Sequence, residues 1–242
     1  MRKLASLLTS IVMTVLVASS AQAEAAVPRP FSATYAVSYR GIGAGSITFD
    51  FARDAATGRY IYETHASPST LARLFVSKAA MERSVMEIDA FGTRPLDWQL
   101  DDGKSGNEGD GELHFDWSRN RVTGTVEGKP VELTAEPGTQ DRSSISIAVT
   151  TALLRGNEPG TIPLIDDNKI KRYVYTKKEN ATVDSALGKI DTVIYESTRE
   201  GGSSRTSRFW MAPSLEFLPV RAEQVRKGKV ETVMVLQKLE HH

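Results

Sequence analysis

Residues 31–39 read FSATYAVSY, and every second side chain from Phe31 to Tyr39 is apolar. Alternation with a period of two predicts a β-strand that buries one face. The glycine-rich residues 41–45 (GIGAG) follow as a turn, and residues 46–51 (SITFDF) alternate again. The chain after residue 30 is therefore predicted to begin with a β-hairpin.

The same alternation recurs through most of the chain, and short glycine-containing connections such as Gly128-Lys129 indicate hairpins between neighbouring runs. Helical spacing occurs at residues 69–80, with Leu71, Leu74 and Phe75, and at residues 143–155, with Ile145, Val149 and Leu153. Further strands are predicted at residues 60–65, 81–88, 96–100, 112–117, 121–127, 130–134, 170–176, 188–198, 206–211, 219–225 and 229–236.

These elements predict a mainly β fold: a large antiparallel curved sheet that forms an open or spiral β-barrel. Many strands favour a curled sheet, because a long flat sheet leaves exposed edges. One or two helices are expected to pack against the concave side. An apolar helix in the middle of a β-rich chain is explained if the sheet wraps around it.

The first 23 residues have the three parts of a secretory signal peptide. Arg2 and Lys3 precede a mostly apolar run at residues 4–17, and small residues end at Ala23. The run is shorter than the ~20 apolar residues of a membrane helix. We expect cleavage after Ala23 and a periplasmic location, with an uncleaved anchor as the alternative. A single β-rich domain is expected over residues 24–238, and residues 239–242 (LEHH) are interpreted as a cloning scar with a partial histidine tag.

Composition narrows the function classes. The chain has no cysteine, which excludes a lipid-modified cysteine, disulfides and thiolate metal sites. Its 30 Lys and Arg residues balance 30 Asp and Glu residues. A near-neutral chain has no electrostatic signature for nucleic acid or for an anionic membrane surface. We therefore expect no nucleic-acid partner, and we expect no membrane span because no later apolar run approaches the length of a membrane helix.

Motifs that carry chemistry are few. Residues 41–45 do not have the spacing of a phosphate-binding loop. The acidic residues 101–112 resemble a calcium loop, but Gly103 stands at the third ligand position, which favours a solvated hairpin loop. His65 and His114 have no neighbouring nucleophile or metal-ligand spacing. We expect no catalytic residue, no metal site and no cofactor.

Four residues are predicted to bind a ligand. Asp141 and Arg142 precede the second predicted helix, where free backbone N–H groups favour an anion or a capping carboxylate. Asp141 either caps the helix or belongs to a binding site, and Arg142 either pairs with a carboxylate or binds an anionic ligand. Trp117 and Trp210 either line an apolar cavity or belong to the core.

Short motifs in a fixed order resemble a family of exported bacterial proteins, domain of unknown function 3108 (DUF3108). They include Pro30-Phe31 with Thr34-Tyr35, Asp116-Trp117, Gln140-Asp141-Arg142 and Leu218-Pro219-Val220. The resemblance covers nearly the whole chain after the signal peptide. It implies a Gram-negative periplasmic, β-rich protein with no established activity and with no catalytic residues to transfer.

The sequence thus leads to the hypothesis of a non-enzymatic periplasmic protein of the cell envelope. Its concave face would bind a lipid-like or other apolar ligand, or a lipoprotein partner. One alternative is an envelope interaction or scaffold protein without a small ligand. Another is a hydrolase of envelope polymers in which folding brings Asp141 and His114 together.

Overall fold

The computed structural model describes residues 26–70, 80–104 and 108–242. The predicted signal peptide and most of the predicted helix at residues 69–80 lie outside these ranges. The described residues form one 14-stranded antiparallel sheet, the helix α1 (Ser144–Leu154) and a short 3-10 turn (Pro213–Leu215). The strands are β1 (Phe31–Tyr39), β2 (Ile42–Arg53), β3 (Tyr60–Pro68), β4 (Met81–Asp89), β5 (Gly92–Asp101), β6 (Gly111–Asp116), β7 (Arg121–Val126), β8 (Lys129–Thr134), β9 (Thr161–Asp166), β10 (Lys169–Ser185), β11 (Gly188–Arg199), β12 (Arg205–Ala212), β13 (Leu218–Arg226) and β14 (Lys229–His241).

The sheet consists of two meanders that meet in its middle. Strands β1 to β8 form the first, β9 to β14 form the second, and β1 pairs with β14. In this central pair Phe31 lies opposite His241 and Tyr39 lies opposite Thr232. Strand β14 therefore includes residues 239–241, part of the segment that the sequence pattern marks as a cloning scar.

Helix α1 connects the two edge strands of the sheet, β8 and β9, by crossing the side of the sheet that we call concave. Just before the helix, Gln140 forms a parallel bridge with β9. Its N–H donates to the Pro163 carbonyl oxygen at 2.8 Å, and the Ile165 N–H donates to the Gln140 carbonyl oxygen at 2.9 Å. The sheet curls without closing, and the predicted open β-barrel with a helix on its concave side is confirmed.

The helix has the buried stripe that its sequence spacing predicts. Ile145, Val149 and Leu153 are buried and pack with Tyr195 and Met211 from strands β11 and β12. The largest core cluster lies against the central strands and contains the buried aromatic residues of β1, β2 and β3. Among the described residues, no helix is long and apolar enough to cross a membrane.

Two glycines allow neighbouring backbones to approach closely. Gly45 has a φ of +130°, and a Cβ atom there would lie 2.2 Å from the Ser67 carbonyl oxygen. Gly124 has a φ of +147°, and a Cβ atom there would lie 2.0 Å from the Glu112 carbonyl oxygen. A side chain at either position would clash with the adjacent strand. The glycines of residues 41–45 therefore serve the β1–β2 hairpin and its packing.

Candidate functional site

A cavity of about 100 Å³ lies between α1 and the concave face of the sheet and is partly open to solvent. Its floor comes from strands β1, β2, β3, β10, β12, β13 and β14. Its roof comes from the first two turns of α1. The lining residues are Phe31, Tyr35, Phe49, Tyr62, Ser146, Ile147, Val149, Thr150, Tyr175, Phe209, Met211, Leu218, Pro219, Ala222 and Met234.

Aromatic rings form much of the cavity wall and pack on one another. Tyr35 and Phe49 meet edge to face with ring centroids 5.4 Å apart, and Phe49 stacks on Tyr62 at 5.8 Å. Tyr175 stacks on Phe209 at 6.3 Å. Such contacts hold each ring in place beyond the effect of burial alone. The wall is thus organised by the protein itself.

The described lining of the cavity is uncharged. Among the residues that the structure describes, no Asp, Glu, Lys, Arg or His side chain lines it. Burial raises the pKa of Tyr35 well above its ordinary value and raises the pKa of Tyr175 to about 12, so both phenols stay neutral near pH 7. The Tyr35 hydroxyl donates to the Pro219 carbonyl oxygen at 2.7 Å. An uncharged apolar group suits this environment.

Asp141 caps the start of α1. Its Oδ1 accepts the N–H groups of Ser143 at 2.8 Å and Ser144 at 2.7 Å, and its Oδ2 accepts the Ser84 hydroxyl at 2.6 Å. The side chain is fully buried, and burial raises the pKa of this carboxyl to about 6 against the opposing effect of these hydrogen bonds. Of the two roles that the sequence left open for Asp141, this geometry is that of the cap.

Arg142 lies in a cluster of ionic groups that joins the two meanders. Its Nη2 lies 3.2 Å from Glu127 Oε1 at the β7–β8 turn and 3.7 Å from Oδ1 of both Asp166 and Asp167 at the β9–β10 turn. Lys171 Nζ also contacts both aspartates, at 2.7 and 3.2 Å. The guanidinium thus has carboxylate partners and does not line the cavity.

The two predicted tryptophans also lie away from the cavity lining. Trp117 stacks on Phe115, and its Nε1–H donates to the Pro95 carbonyl oxygen at 2.6 Å. Trp210 lies under the Arg221 guanidinium, which is 5.3 Å from its ring centroid. The structure therefore does not bring Asp141, Arg142, Trp117 and Trp210 together in one pocket, and their ligand-binding role stays a prediction.

Asp141 and His114 lie on opposite faces of the sheet. Asp141 is held on the concave side by α1 and by Ser84. His114 is exposed, and its Nδ1 lies 2.8 Å from Oδ1 of the exposed Asp97. Its neighbour Leu113 points into the core, and successive strand side chains point to opposite faces. The two residues do not form the catalytic pair of the hydrolase alternative.

The acidic loop brings Asp101, Asp102 and Asp110 together, with one carboxylate oxygen from each within 4.8 Å of the others. Lys104 Nζ lies 2.7 Å from Asp102 Oδ2, and Asp110 Oδ1 accepts the Asp102 N–H at 3.0 Å. Part of this loop, residues 105–107, lies outside the described ranges. These contacts are those of a hairpin loop in which Lys104 pairs with one of the three aspartates.

Together, the curled open sheet, the helix on its concave side and the apolar cavity define a barrel-like β protein with a partly enclosed interior. The chain belongs to the family described as "Protein of unknown function (DUF3108)", whose model matches residues 34–235. This confirms the family predicted from the short motifs. No curated protein matches the chain.

Solved structures with a similar fold are distant in sequence. A β-barrel-like protein of domain of unknown function DUF1849 from Brucella abortus is 13% identical with a TM-score of 0.56, over 90% of this chain and 100% of that one. At this identity the likeness shows the fold alone. A Bacteroides fragilis protein described as exported and YmcC-like is 8% identical with a TM-score of 0.41, over 90% of this chain and 99% of that one. A TM-score below 0.5 supports no conclusion about this chain.

Proposed function

We propose that this protein is a non-enzymatic protein of the periplasm that binds the apolar part of a lipid-like or other amphiphilic ligand. The binding site would be the cavity between α1 and the concave face of the sheet. The observation that carries the proposal is a cavity with an apolar, aromatic lining that includes no charged side chain in the described part of the chain. The predicted signal peptide supports the location.

The size of the cavity limits what it would hold. An engineered apolar cavity of about 150 Å³ binds benzene, whereas complete ligand pockets usually have roughly 300–1,000 Å³. A cavity of about 100 Å³ therefore suits the end of an alkyl or aryl group. The remainder of a longer ligand would leave through the open side.

The hydroxyls of α1 give the site polar contacts next to its apolar wall. Ser146 and Thr150 lie one helical turn apart and both line the cavity. Their hydroxyls would bind an uncharged polar group, such as an ester carbonyl, close to the apolar end of a ligand. A lipid-like molecule offers this combination.

The test uses protein exported and purified from cells that express the full chain. N-Phenyl-1-naphthylamine, an uncharged dye that fluoresces in apolar surroundings, should bind with saturation. Native mass spectrometry of gently purified protein should show a co-purified mass. Ala222→Phe places a ring in the cavity and should lower dye affinity by about tenfold or more, because the added side chain occupies the ligand volume.

Ala36→Phe is the matched control, because Ala36 is an exposed residue of β1 and does not line the cavity. Both variants should retain the far-ultraviolet circular dichroism of the parent. Equal dye binding by Ala222→Phe and the parent would refute the proposed site. An unliganded protein that fails to bind the dye but cross-links in cells to an envelope protein would instead support the scaffold alternative.

A further inference from the structure

Three large apolar side chains are exposed together at one end of the sheet. Tyr39 and Ile42 lie opposite each other at the tip of the β1–β2 hairpin, and Val230 lies at the tip of the neighbouring β13–β14 hairpin. Their exposed fractions are 47%, 66% and 43%. The Arg40 N–H donates to the Glu231 carbonyl oxygen at 2.7 Å, so the two hairpin tips are joined by a backbone hydrogen bond.

Cations surround these side chains. A groove at the two hairpin tips is lined by Arg40, Arg226, Lys227 and Lys229, together with Val230 and Glu231. Glu231 pairs with Arg40 at 2.7 Å, and the pKa of its carboxyl is lowered by that hydrogen bond and, to a smaller extent, by Arg226 and Arg205. Arg205 on β12 lies opposite Arg226 on β13. The five cations of this tip patch are Arg40, Arg205, Arg226, Lys227 and Lys229.

We propose that this tip patch, defined by Tyr39, Ile42, Val230 and the five cations, docks the protein on the surface of an anionic lipid bilayer. The apolar side chains would enter the boundary between headgroups and acyl chains, and the cations would contact lipid phosphates. This surface is separate from the cavity lining, and the proposal goes beyond ligand binding.

The pattern matches an anionic bilayer better than a nucleic acid. Apolar side chains at hairpin tips gain free energy only where they leave water, and nucleic acid offers no comparable apolar layer. Long Lys and Arg side chains can keep their charges at headgroup level while their stems lie on apolar surface. The near-zero net charge of the chain does not oppose docking, because electrostatic attraction falls off within about 10 Å and depends on local charge.

The apolar rows of the sheet run from the cavity towards the patch. Met234 lines the cavity and lies directly opposite Val37 in the central strand pair. Val37 and Tyr39 are alternate residues of β1 and therefore share one face of that strand. Docking through the tip patch would thus bring one end of this apolar row next to the bilayer, with the cavity further along the same face.

Vesicle flotation tests the proposal with exported full-length protein. The protein should float with vesicles of phosphatidylcholine and phosphatidylglycerol but not with vesicles of phosphatidylcholine alone, and salt should weaken binding. The variant Arg226→Glu/Lys227→Glu/Lys229→Glu should bind at least roughly a hundredfold more weakly. Ile42→Ser/Val230→Ser should also weaken binding, because apolar contact is lost while the charge stays the same.

Matched controls lie at the opposite end of the sheet. Arg59→Glu/Arg119→Glu/Lys189→Glu changes the net charge by the same amount at three exposed positions in other hairpins. Phe91→Ser removes a fully exposed aromatic side chain from the β4–β5 turn. Both controls should float like the parent, and all variants should retain the parent's circular dichroism and dye binding.

The proposal is overturned if the parent does not float with anionic vesicles, or if the control charge reversal weakens binding as much as the patch reversal. It is also overturned if a photo-crosslinker at position 42 captures an acidic protein while vesicles do not bind. Dye uptake reports on the cavity separately. Loss of flotation with normal dye uptake would therefore concern the patch alone.

Discussion

Asp141 is a buried carboxyl group whose contribution to the free energy of unfolding depends on pH. Burial disfavours its charged form, whereas the N–H groups of Ser143 and Ser144 and the hydroxyl of Ser84 favour it. Burial dominates, since the pKa is raised to about 6. The native state therefore binds this proton more tightly than the unfolded chain, whose Asp pKa is ~3.9. The contribution of Asp141 to stability is largest below pH ~4 and is lost as the pH rises through about 6.

Asp141→Asn should remove this pH dependence while keeping an oxygen that accepts the helix N–H groups. Relative to the parent, the free energy of unfolding of the variant should rise by about 2–3 kcal/mol between pH ~4 and pH ~7, because only the parent must bury a charge. Urea unfolding at a series of pH values measures the difference. Other titrating carboxylates contribute to both proteins and cancel in the comparison.

Ser84→Ala provides a second measurement at the same site. It removes the hydrogen bond at 2.6 Å that favours the Asp141 carboxylate, so the pKa of Asp141 should rise further. The loss of stability should then occur at a higher pH than in the parent. A difference between Asp141→Asn and the parent that does not change with pH would contradict the raised pKa.

The glycines offer a graded test of backbone strain. Gly43→Ala should be nearly neutral, since its φ is not positive and no atom lies within 4 Å of the place that an alanine methyl group would take. Gly92→Ala should lower the free energy of unfolding by about 1–3 kcal/mol, because its φ is +127° in open space. Gly124→Ala should cost more, because it adds the clash with Glu112. Thermal unfolding of the three variants measures the order, and equal losses at Gly92 and Gly124 would contradict the steric explanation.

At the scale of elements, alternation locates most strands because the curled sheet buries one face. Strand β1 has the predicted bounds of residues 31–39. Strand β9 escapes the pattern, since its sequence TIPLID contains Pro163 and buries two adjacent residues. Proline is tolerated there because β9 is an edge strand that pairs fully with β10 and otherwise only bridges Gln140.

The cavity depends on strand pairing between distant parts of the chain, which local sequence patterns do not predict. Tyr35 and Phe49 are inward positions of adjacent strands, and alternation predicts that both face the core, where Tyr35 is buried and Phe49 partly buried. Their approach to Phe209 and Met234 depends on β1 pairing with β14, which lies at the far end of the chain. Long-range pairing of this kind depends on the whole sheet. Local polar and aromatic motifs in the sequence therefore do not identify the residues that line the cavity.

The ionic cluster links the β7–β8 and β9–β10 turns, next to the core cluster that Ile165 and Ile170 share with strands β6 to β8. Arg142→Ala should lower the free energy of unfolding by about 1 kcal/mol, because it removes partly exposed ion pairs and the contact with the Trp98 ring at 5.9 Å. High salt should reduce the loss. Urea unfolding at low and high salt measures both effects.

Arg121→Ala is the control for that prediction. Arg121 pairs with Glu132 within the β7–β8 hairpin, and both side chains are largely exposed. This pair should contribute less than about 0.5 kcal/mol. If Arg142→Ala were no more destabilising than Arg121→Ala, the cluster would not hold the two meanders together.

At the scale of the whole molecule, the two meanders meet at two places. The β1–β14 pair joins them in the middle of the sheet, and α1 with its flanking segments joins them at the open edge. A strand pair formed by distant parts of the chain forms late, because its loop must close first. The cavity lies between these two junctions, so its shape depends on both.

The topology predicts which rearrangements of the chain the fold tolerates. The His242 N–H donates to the Pro30 carbonyl oxygen at 3.2 Å, so residues 26 and 242 can be joined by a short Gly-Ser linker. New ends between Ala186 and Leu187 would fall in the exposed β10–β11 turn. This permutant should fold and bind the dye like the parent, because every strand keeps the neighbours that it has in the parent.

Removal of residues 229–242 should instead disrupt the fold and abolish dye binding. It deletes β14 and leaves β1 and β13 without their shared neighbour in the middle of the sheet. Strand β1, which carries the buried side chains of Phe31, Ala33 and Tyr35, would then pair only with β2 and have one unpaired edge, which favours aggregation. Size-exclusion chromatography and circular dichroism compare the two chains. A truncated chain that stays monomeric and binds the dye would show that α1 and its flanking segments hold the two halves around the cavity without the central pair.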